Sequence, residues 1–281
     1  SLIAASLAAS ASLHGQALIY ESFDQANGSA TTALGGKAGG TGLNTWSTIQ
    51  TNTVNETTSL TYGDLQNSDG QLEIPNSSGV DAFVTTTSVL GDNSLLDDGA
   101  TLWFSYVHEK ESINGTNDKA GFAFGTERLD GNFSGDLDME GTGNGVGVLS
   151  TGTSANAATW VGGGVTNSTS GSGHTITLNE TIFLVGKIEW GATAGDDETI
   201  TLYSPSLTDL GTLGSGFTAT MTGVDQTAFD TISMTQRNSN GTQFYDEIRF
   251  GETFADVSPI PEPSAALLGS LGLLALLRRR R

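Results

Sequence analysis

The sequence predicts an all-β protein of two packed antiparallel sheets, a sandwich or jelly roll. Three observations point there. Short runs of alternating or β-branched residues recur along the chain and are punctuated by clusters of Gly, Asn and Asp. Gly is abundant, at 38 residues, and Pro scarce, at 5, which suits many turns between strands better than helices. Outside the two ends, no segment of useful length repeats its apolar residues at the helical period, and strands do not alternate with helices as a parallel α/β sheet requires. With 281 residues and 36% hydrophobic content the chain can bury one large core, and one domain is expected.

In chain order the predicted strands are 17–23, 71–74, 82–87, 101–108, 120–125, 146–149, 182–190, 199–203, 219–221, 231–234 and 243–250. The segment 101–108 carries bulk on both faces: Leu102, Phe104, Tyr106 and His108 alternate with Thr101, Trp103, Ser105 and Val107. That pattern marks a central strand. Asp225 to Phe229 reads as a helical turn, and Gly162-Gly163-Gly164 as a flexible turn, since no Gly-Lys-Ser or Gly-Lys-Thr follows to make a phosphate loop.

The ends are of another kind. Ser1 to Leu13 is a run of apolar and small residues, followed by Gly15-Gln16-Ala17, a small-x-small cleavage site just before Leu18. Residues 1–17 are therefore read as the remnant of a secretory signal peptide, and 18–257 as the β-sandwich body. Residues 258–281 form a tail: Pro259-Ile260-Pro261-Glu262-Pro263, an uncharged apolar stretch from Ser264 to Leu277, then Arg278, Arg279, Arg280 and Arg281. The prolines can neither continue a helix nor join a sheet ladder, so they set the body apart. As a helix the apolar stretch spans about 21 Å, short of a hydrocarbon core of about 30 Å. The arginines behind it hold that end at the cytoplasmic headgroups and leave the body outside.

This tail resembles the PEP-CTERM sorting signal, with Pro261, Glu262 and Pro263 as its Pro-Glu-Pro and the apolar helix and Arg cluster in the same order. The resemblance implies export, transient residence in the inner membrane, and processing near the motif by an exosortase-type membrane protease. In that family the hosts are Gram-negative bacteria that make exopolysaccharide, so the implied destination is the cell envelope or an extracellular matrix.

Charge excludes one class of partner. The formal net charge is -20, and without Glu262 and the four terminal arginines the remainder holds 30 acids against 7 bases. Such a surface repels phosphates, so no nucleic-acid partner is expected. It is compatible with divalent cations and neutral glycans. There is no cysteine, so neither a disulfide nor a thiolate site is available.

Further landmarks are Tyr20-Glu21-Ser22-Phe23-Asp24, Gly39-Gly40-Thr41-Gly42 with Trp46, Gly121-Phe122-Ala123-Phe124-Gly125 with Glu127-Arg128-Leu129, and Phe244-Tyr245-Asp246-Glu247-Ile248-Arg249-Phe250-Gly251 with Phe254-Ala255-Asp256-Val257. In this order they resemble the concanavalin A-like or laminin-G-like jelly-roll proteins. The resemblance implies a last strand at 243–250 lying beside the N-terminal one. It brings no activity, because that superfamily holds lectins, glycosidases, lyases and adhesion modules.

The sharpest chemical candidate is Asp136-Leu137-Asp138-Met139-Glu140. On a strand, Asp136, Asp138 and Glu140 share one face, and three carboxylates lining a groove are what a retaining glycosidase uses as nucleophile, tuning group and acid/base. The pattern resembles the Glu-x-Asp-x-Glu strand of laminarinase-type jelly-roll glycosidases but has Asp136 where the nucleophilic Glu stands. The Gly-rich flanks also fit a solvated loop. Two oxygen-rich loops, Asp92, Asn93, Asp97, Asp98 and Asp196, Asp197, Glu198, suit calcium, the one cofactor the sequence admits, or plain turns. His14 lies in the leader, and His108 and His174 lack partners at ligand spacing. The four tryptophans, Trp46, Trp103, Trp160 and Trp190, fit a sandwich core or, if exposed, sugar stacking.

The reading is an exported cell-envelope or exopolysaccharide-matrix protein whose non-enzymatic jelly-roll body binds glycan or serves as matrix material. A secreted glycoside hydrolase or lyase and a calcium-stabilised adhesion module are the alternatives.

Overall fold

The computed structural model describes residues 16–24, 32–49, 53–55, 58–65, 68, 70–75, 80–113, 118–131, 137–168, 173–193, 195–237 and 241–258. Residues 1–15 of the expected leader, Asp136, and residues 259–281 with the Pro261-Glu262-Pro263 motif and Arg278 to Arg281 lie outside them.

In chain order the described elements are β1 (Ile19–Glu21), β2 (Thr32–Ala33), β3 (Ser47–Ile49), β4 (Thr53–Asn55), β5 (Gln71–Ile74), β6 (Val80–Thr85), α1 (Val89–Asp92), β7 (Thr101–Lys110), β8 (Lys119–Gly125), β9 (Leu129–Asp130) and β10 (Asp138–Met139). They continue with β11 (Gly145–Thr151), β12 (Ser154–Val161), β13 (Gly164–Ser168), β14 (His174–Thr175), β15 (Ile182–Glu189), β16 (Asp197–Tyr203), β17 (Phe217–Thr222), a 3-10 turn (Gln226–Ala228), β18 (Thr231–Arg237), β19 (Gln243–Gly251) and α2 (Phe254–Val257). One sheet runs β17-β16-β15-β7-β19-β5-β4-β2, with β1 also on β19. The other runs β13-β12-β11-β8-β18-β6-β3, with β14 on β12. All these pairings are antiparallel, and the two sheets make the expected jelly-roll sandwich.

The core follows from strand alternation. In β7, Leu102, Phe104, Tyr106 and His108 point between the sheets, where Phe104 stacks on Phe122 at 5.3 Å and Tyr106 on Phe122 at 4.4 Å. Its other face is apolar too: Val107 joins Phe183 and Val185 under a cover of Leu60, Tyr62, Leu65, Leu210 and Val257. The strand lies between β15 and β19, as its two-faced sequence predicts. β1 pairs with β19 in the register Ile19↔Phe250, so the first and last of the described strands are neighbours.

The outer face of the second sheet is covered differently. β9 and β10 form a separate two-stranded ribbon whose Leu129, Leu137 and Met139 pack with Ala123 and Trp160. Small residues make the seat. A Cβ on Gly121 would stand 2.7 Å from Leu129 Cδ1, and one on Gly125 would stand 2.8 Å from Met139 Cε. Substitution in this seat should split by what the new methyl meets. On Gly145 it meets the mobile end of Met139, whereas on Gly147 it runs into the Phe122 carbonyl of the neighbouring strand. Gly147→Ala is therefore expected to cost about 1–3 kcal/mol and Gly145→Ala less, because backbone cannot yield as a thioether can. Urea unfolding of both variants checks the order.

Strand β12 is absent from the sequence prediction. Its Ala155, Asn156, Ala157 and Ala158 carry little β-propensity, and pairing on both sides with β11 and β13 overrides that. The turn between β12 and β13 contains Gly162 and Gly163 at φ 61° and 95°, where glycine is needed. The turn also holds the ribbon, since Gly163 O accepts from Met139 N at 2.6 Å.

Candidate functional site

Charged side chains gather on the outer face of the second sheet, around Arg128. β6 supplies Asp81, β18 supplies Thr235, and the ribbon supplies Arg128, Asp130 and Glu140. Arg128 Nη1 meets Asp81 Oδ2 at 2.5 Å, Nη2 meets Asp130 at 3.7 Å, and Nε meets Glu140 Oε2 at 3.1 Å. Its guanidinium also lies 5.7 Å over the Phe83 ring. Asp81 accepts in addition from Thr235 Oγ1 and from Gly131 N. Burial raises the Asp81 carboxyl to about 6, although Thr235, Arg128 and Gly131 pull it down. Desolvation outweighs the partners here because the carboxylate is fully shielded.

This arrangement places two of the three carboxylates of the glycosidase pattern. Asp138 and Glu140 do not belong to a sheet strand lining a groove: β10 is two residues long and lies over the sheet as part of the ribbon. The alternation holds, since Leu137 and Met139 are buried while Asp138 is half-buried and Glu140 exposed. Its purpose is to anchor the ribbon. Glu140 is tied to Arg128, and Asp136 lies outside the described residues.

A second carboxylate group sits at the bulge of β19, where Glu247 takes φ 55° between Asp246 and Arg249. Asp246 Oδ2 accepts from Ser59 Oγ at 2.7 Å and Leu60 N at 3.0 Å. Burial, and secondarily the charge of Glu247, raise Asp246 to about 9. Glu247 accepts from Ser68 N and Tyr20 Oη and pairs with Arg249, whose guanidinium lies 4.8 Å over the Tyr20 ring. Across the sandwich edge, Glu21 accepts from Phe23 N, Gly40 N and Trp46 Nε1 at 2.8, 2.9 and 2.8 Å. The landmarks Tyr20-Glu21, Gly39-Gly40, Trp46 and Asp246-Glu247-Ile248-Arg249 are thus joined in space as clasps that hold loops to the first sheet.

The other candidates separate. Asp92 is exposed and accepts from Ser88 Oγ, while Asp98 accepts from Gln226 Nε2 at 2.9 Å. Asp196 closes its own loop by accepting from Thr193 N, and Asp197 accepts from Thr222 Oγ1. Glu198 is buried, with Oε2 unpartnered, and burial raises its carboxyl. Among the described residues no three acidic or histidine side chains converge to hold an ion. Trp46, Trp160 and Trp190 are buried, and Trp103 is half-buried under Tyr203 and Phe254. His108 bonds Gln243 inside the core, where burial lowers it to about 4, and His174 Nε2 lies 3.0 Å from Leu202 O. Buried Lys110 pairs with Asp118 at 3.1 Å. Sequence reading missed the Arg128 network because Asp81 and Arg128 are far apart in the chain; Arg128 was visible only as a landmark neighbour.

No family model matches the chain, and no curated protein matches it in sequence. Solved structures with a similar course include endo-β-1,4-glucuronan lyase from the fungus Trichoderma reesei, at 12% identity and TM-score 0.46 over 87% of this chain and 99% of that one. A carbohydrate esterase from the Shiga toxin-encoding bacteriophage phi24B gives 13% and 0.46 over 85% and 99%. A protein of Shewanella oneidensis MR-1 gives 10% and 0.44 over 84% and 89%. Likeness of this degree carries neither activity nor ligand to this chain.

Proposed function

We propose that the chain is an exported, non-enzymatic jelly-roll module, delivered to the cell envelope or exopolysaccharide matrix by its tail, where the body binds glycan. The observation that carries this reading is the engagement of the carboxylates gathered at the ribbon, at the β19 bulge and on β1. Asp81 and Glu140 hold Arg128, Asp246 holds Ser59 and Leu60, Glu247 holds Tyr20, Ser68 and Arg249, and Glu21 holds Trp46. Each fastens a covering segment to a sheet, whereas a general acid or base must reach a substrate proton.

The tail supports the same reading. Pro261, Glu262 and Pro263 followed by an apolar stretch and Arg278 to Arg281 have the order of an exosortase-type sorting signal. The partners are then an exosortase-type membrane protease, the inner membrane transiently, and a polysaccharide of the matrix. Mass spectrometry of surface-located protein is expected to find the chain without Arg278 to Arg281, and matrix polysaccharide is expected to retain the body in a pull-down. An intact arginine tail on surface protein overturns the sorting reading, and absence of retention overturns the glycan reading.

A further inference from the structure

A recess of about 300 Å³ opens at the end of the sandwich where β6 runs into α1 and β18 begins. Its exposed rim includes Thr87, Ser88, Asp92, Thr227 and Asp230; its floor is Leu90, Leu96 and Phe229, all buried. We propose that this recess binds one neutral pyranose unit of a glycan. The proposal rests on the glycan-binding reading above and adds the place and the class of sugar.

Chemistry and shape agree. Ser88 Oγ occupies Asp92 Oδ2 at 2.6 Å, and Thr231 Oγ1 occupies Asp230 Oδ1 at 2.7 Å. Each carboxylate therefore keeps its second oxygen without a partner among the described residues, ready to accept from sugar hydroxyls. Such charge-assisted bonds are stronger than neutral ones. The apolar floor suits the C–H face of a sugar ring. A recess at the low end of the range for ligand pockets, roughly 300–1,000 Å³, takes one unit and leaves the polymer outside.

The recess is also held in shape before any ligand arrives. Phe229 is gripped edge-on by Phe124 at 5.6 Å and by Trp190 at 5.5 Å. Trp190 Nε1 donates to Leu95 O at 2.6 Å, and Gln226 Nε2 donates to Asp98 Oδ1 at 2.9 Å, which ties the two walls together. Preformed walls lower the ordering cost of binding. Two carboxylates on a chain of net charge -20 repel uronate, sulfate or phosphate groups, so the fitting sugar is uncharged. A cation would make no use of the apolar floor, and only two carboxylates stand at the rim.

The test titrates the full chain with glucose, galactose and mannose, with glucuronate, and separately with calcium chloride, following the amide signals of Thr87, Gly91 and Thr227. At least one neutral hexose should shift these amides. Glucuronate and the Asp92→Asn/Asp230→Asn double variant with that hexose should each bind at least about tenfold more weakly. The double variant should keep its Tm, because both side chains are exposed. Shifts with calcium but with no hexose overturn the proposal, as does undiminished hexose binding by the double variant. If the matrix retains the double variant as well as the parent, the recess is wrong and the glycan reading stands. If the matrix retains neither but a hexose moves these amides, the recess stands and the matrix reading falls.

Discussion

An Arg128→Ala chain is expected to lose roughly 3–5 kcal/mol of stability, with a Tm lower by about ten degrees, because the change strands a buried carboxylate. Asp81 is wholly shielded and depends on Arg128, Thr235 and Gly131 to stay ionised near neutrality. Removing the arginine takes away the ion-pair partner at 2.5 Å from Asp81 and also frees Glu140, so the ribbon loses one of its tethers. Pairing the change with Asp81→Asn should recover much of the loss, since no uncompensated charge then remains inside. Thermal and urea unfolding of the three variants decide it. Equal midpoints for the parent and Arg128→Ala would remove the network from any account of how the ribbon is held.

The second large effect is a fall in stability as pH rises from about 6.5 to 9, with Asp246 as its source. Burial puts this carboxyl at about 9, against about 3.9 in an unfolded chain. Between those values the folded state holds a proton that the unfolded state has released, so the stability present at low pH is lost as pH climbs. Asp81, at about 6, acts in the same direction but is spent by that point. His108 acts the other way: at about 4 when folded and about 6.5 when unfolded, it favours folding above 6.5 and costs stability as pH falls toward 4. The unfolding free energy should therefore drop with a slope approaching about 1.4 kcal/mol per pH unit above pH 6.5. Asp246→Asn should flatten this slope while its side-chain oxygen still accepts from Ser59 and Leu60. Stability that does not change between pH 6.5 and 8.5 in the parent chain would show that Asp246 is ionised when folded.

Long, strongly patterned strands were legible in the sequence; those shaped by neighbours were not. The two-faced run at β7 and the aromatic alternation of β19 carry enough side-chain information to locate themselves. β12 does not, because alanines say little about where they lie until β11 and β13 enclose them. The ribbon misled for a related reason. Alternation in Asp136 to Glu140 is genuine, yet the same period serves a strand in a sheet and a short segment pressed on top of one. Glycine supplied the missing signal: a side chain on Gly121 would meet Leu129 and Leu137, so that position is explained once the ribbon is placed above it. At the recess, sequence reading picked out Asp92 but not Asp230, Thr227 or Phe229, which come to it from a distant stretch of the chain.

The position of β19 has a consequence for how the chain reaches this structure. It is the last of the described strands, ends at Gly251, and stands inside the first sheet between β7 and β5 while also pairing with β1. Until it arrives, that sheet consists of two unconnected halves, and β1 lacks the ladder it forms on β19. Closing it joins residues more than 200 positions apart, so the rate of folding is governed by long-range chain closure. A chain lacking this strand thus stays open, and a truncation before Gln243 should leave a collapsed, sticky intermediate in place of a shortened sandwich.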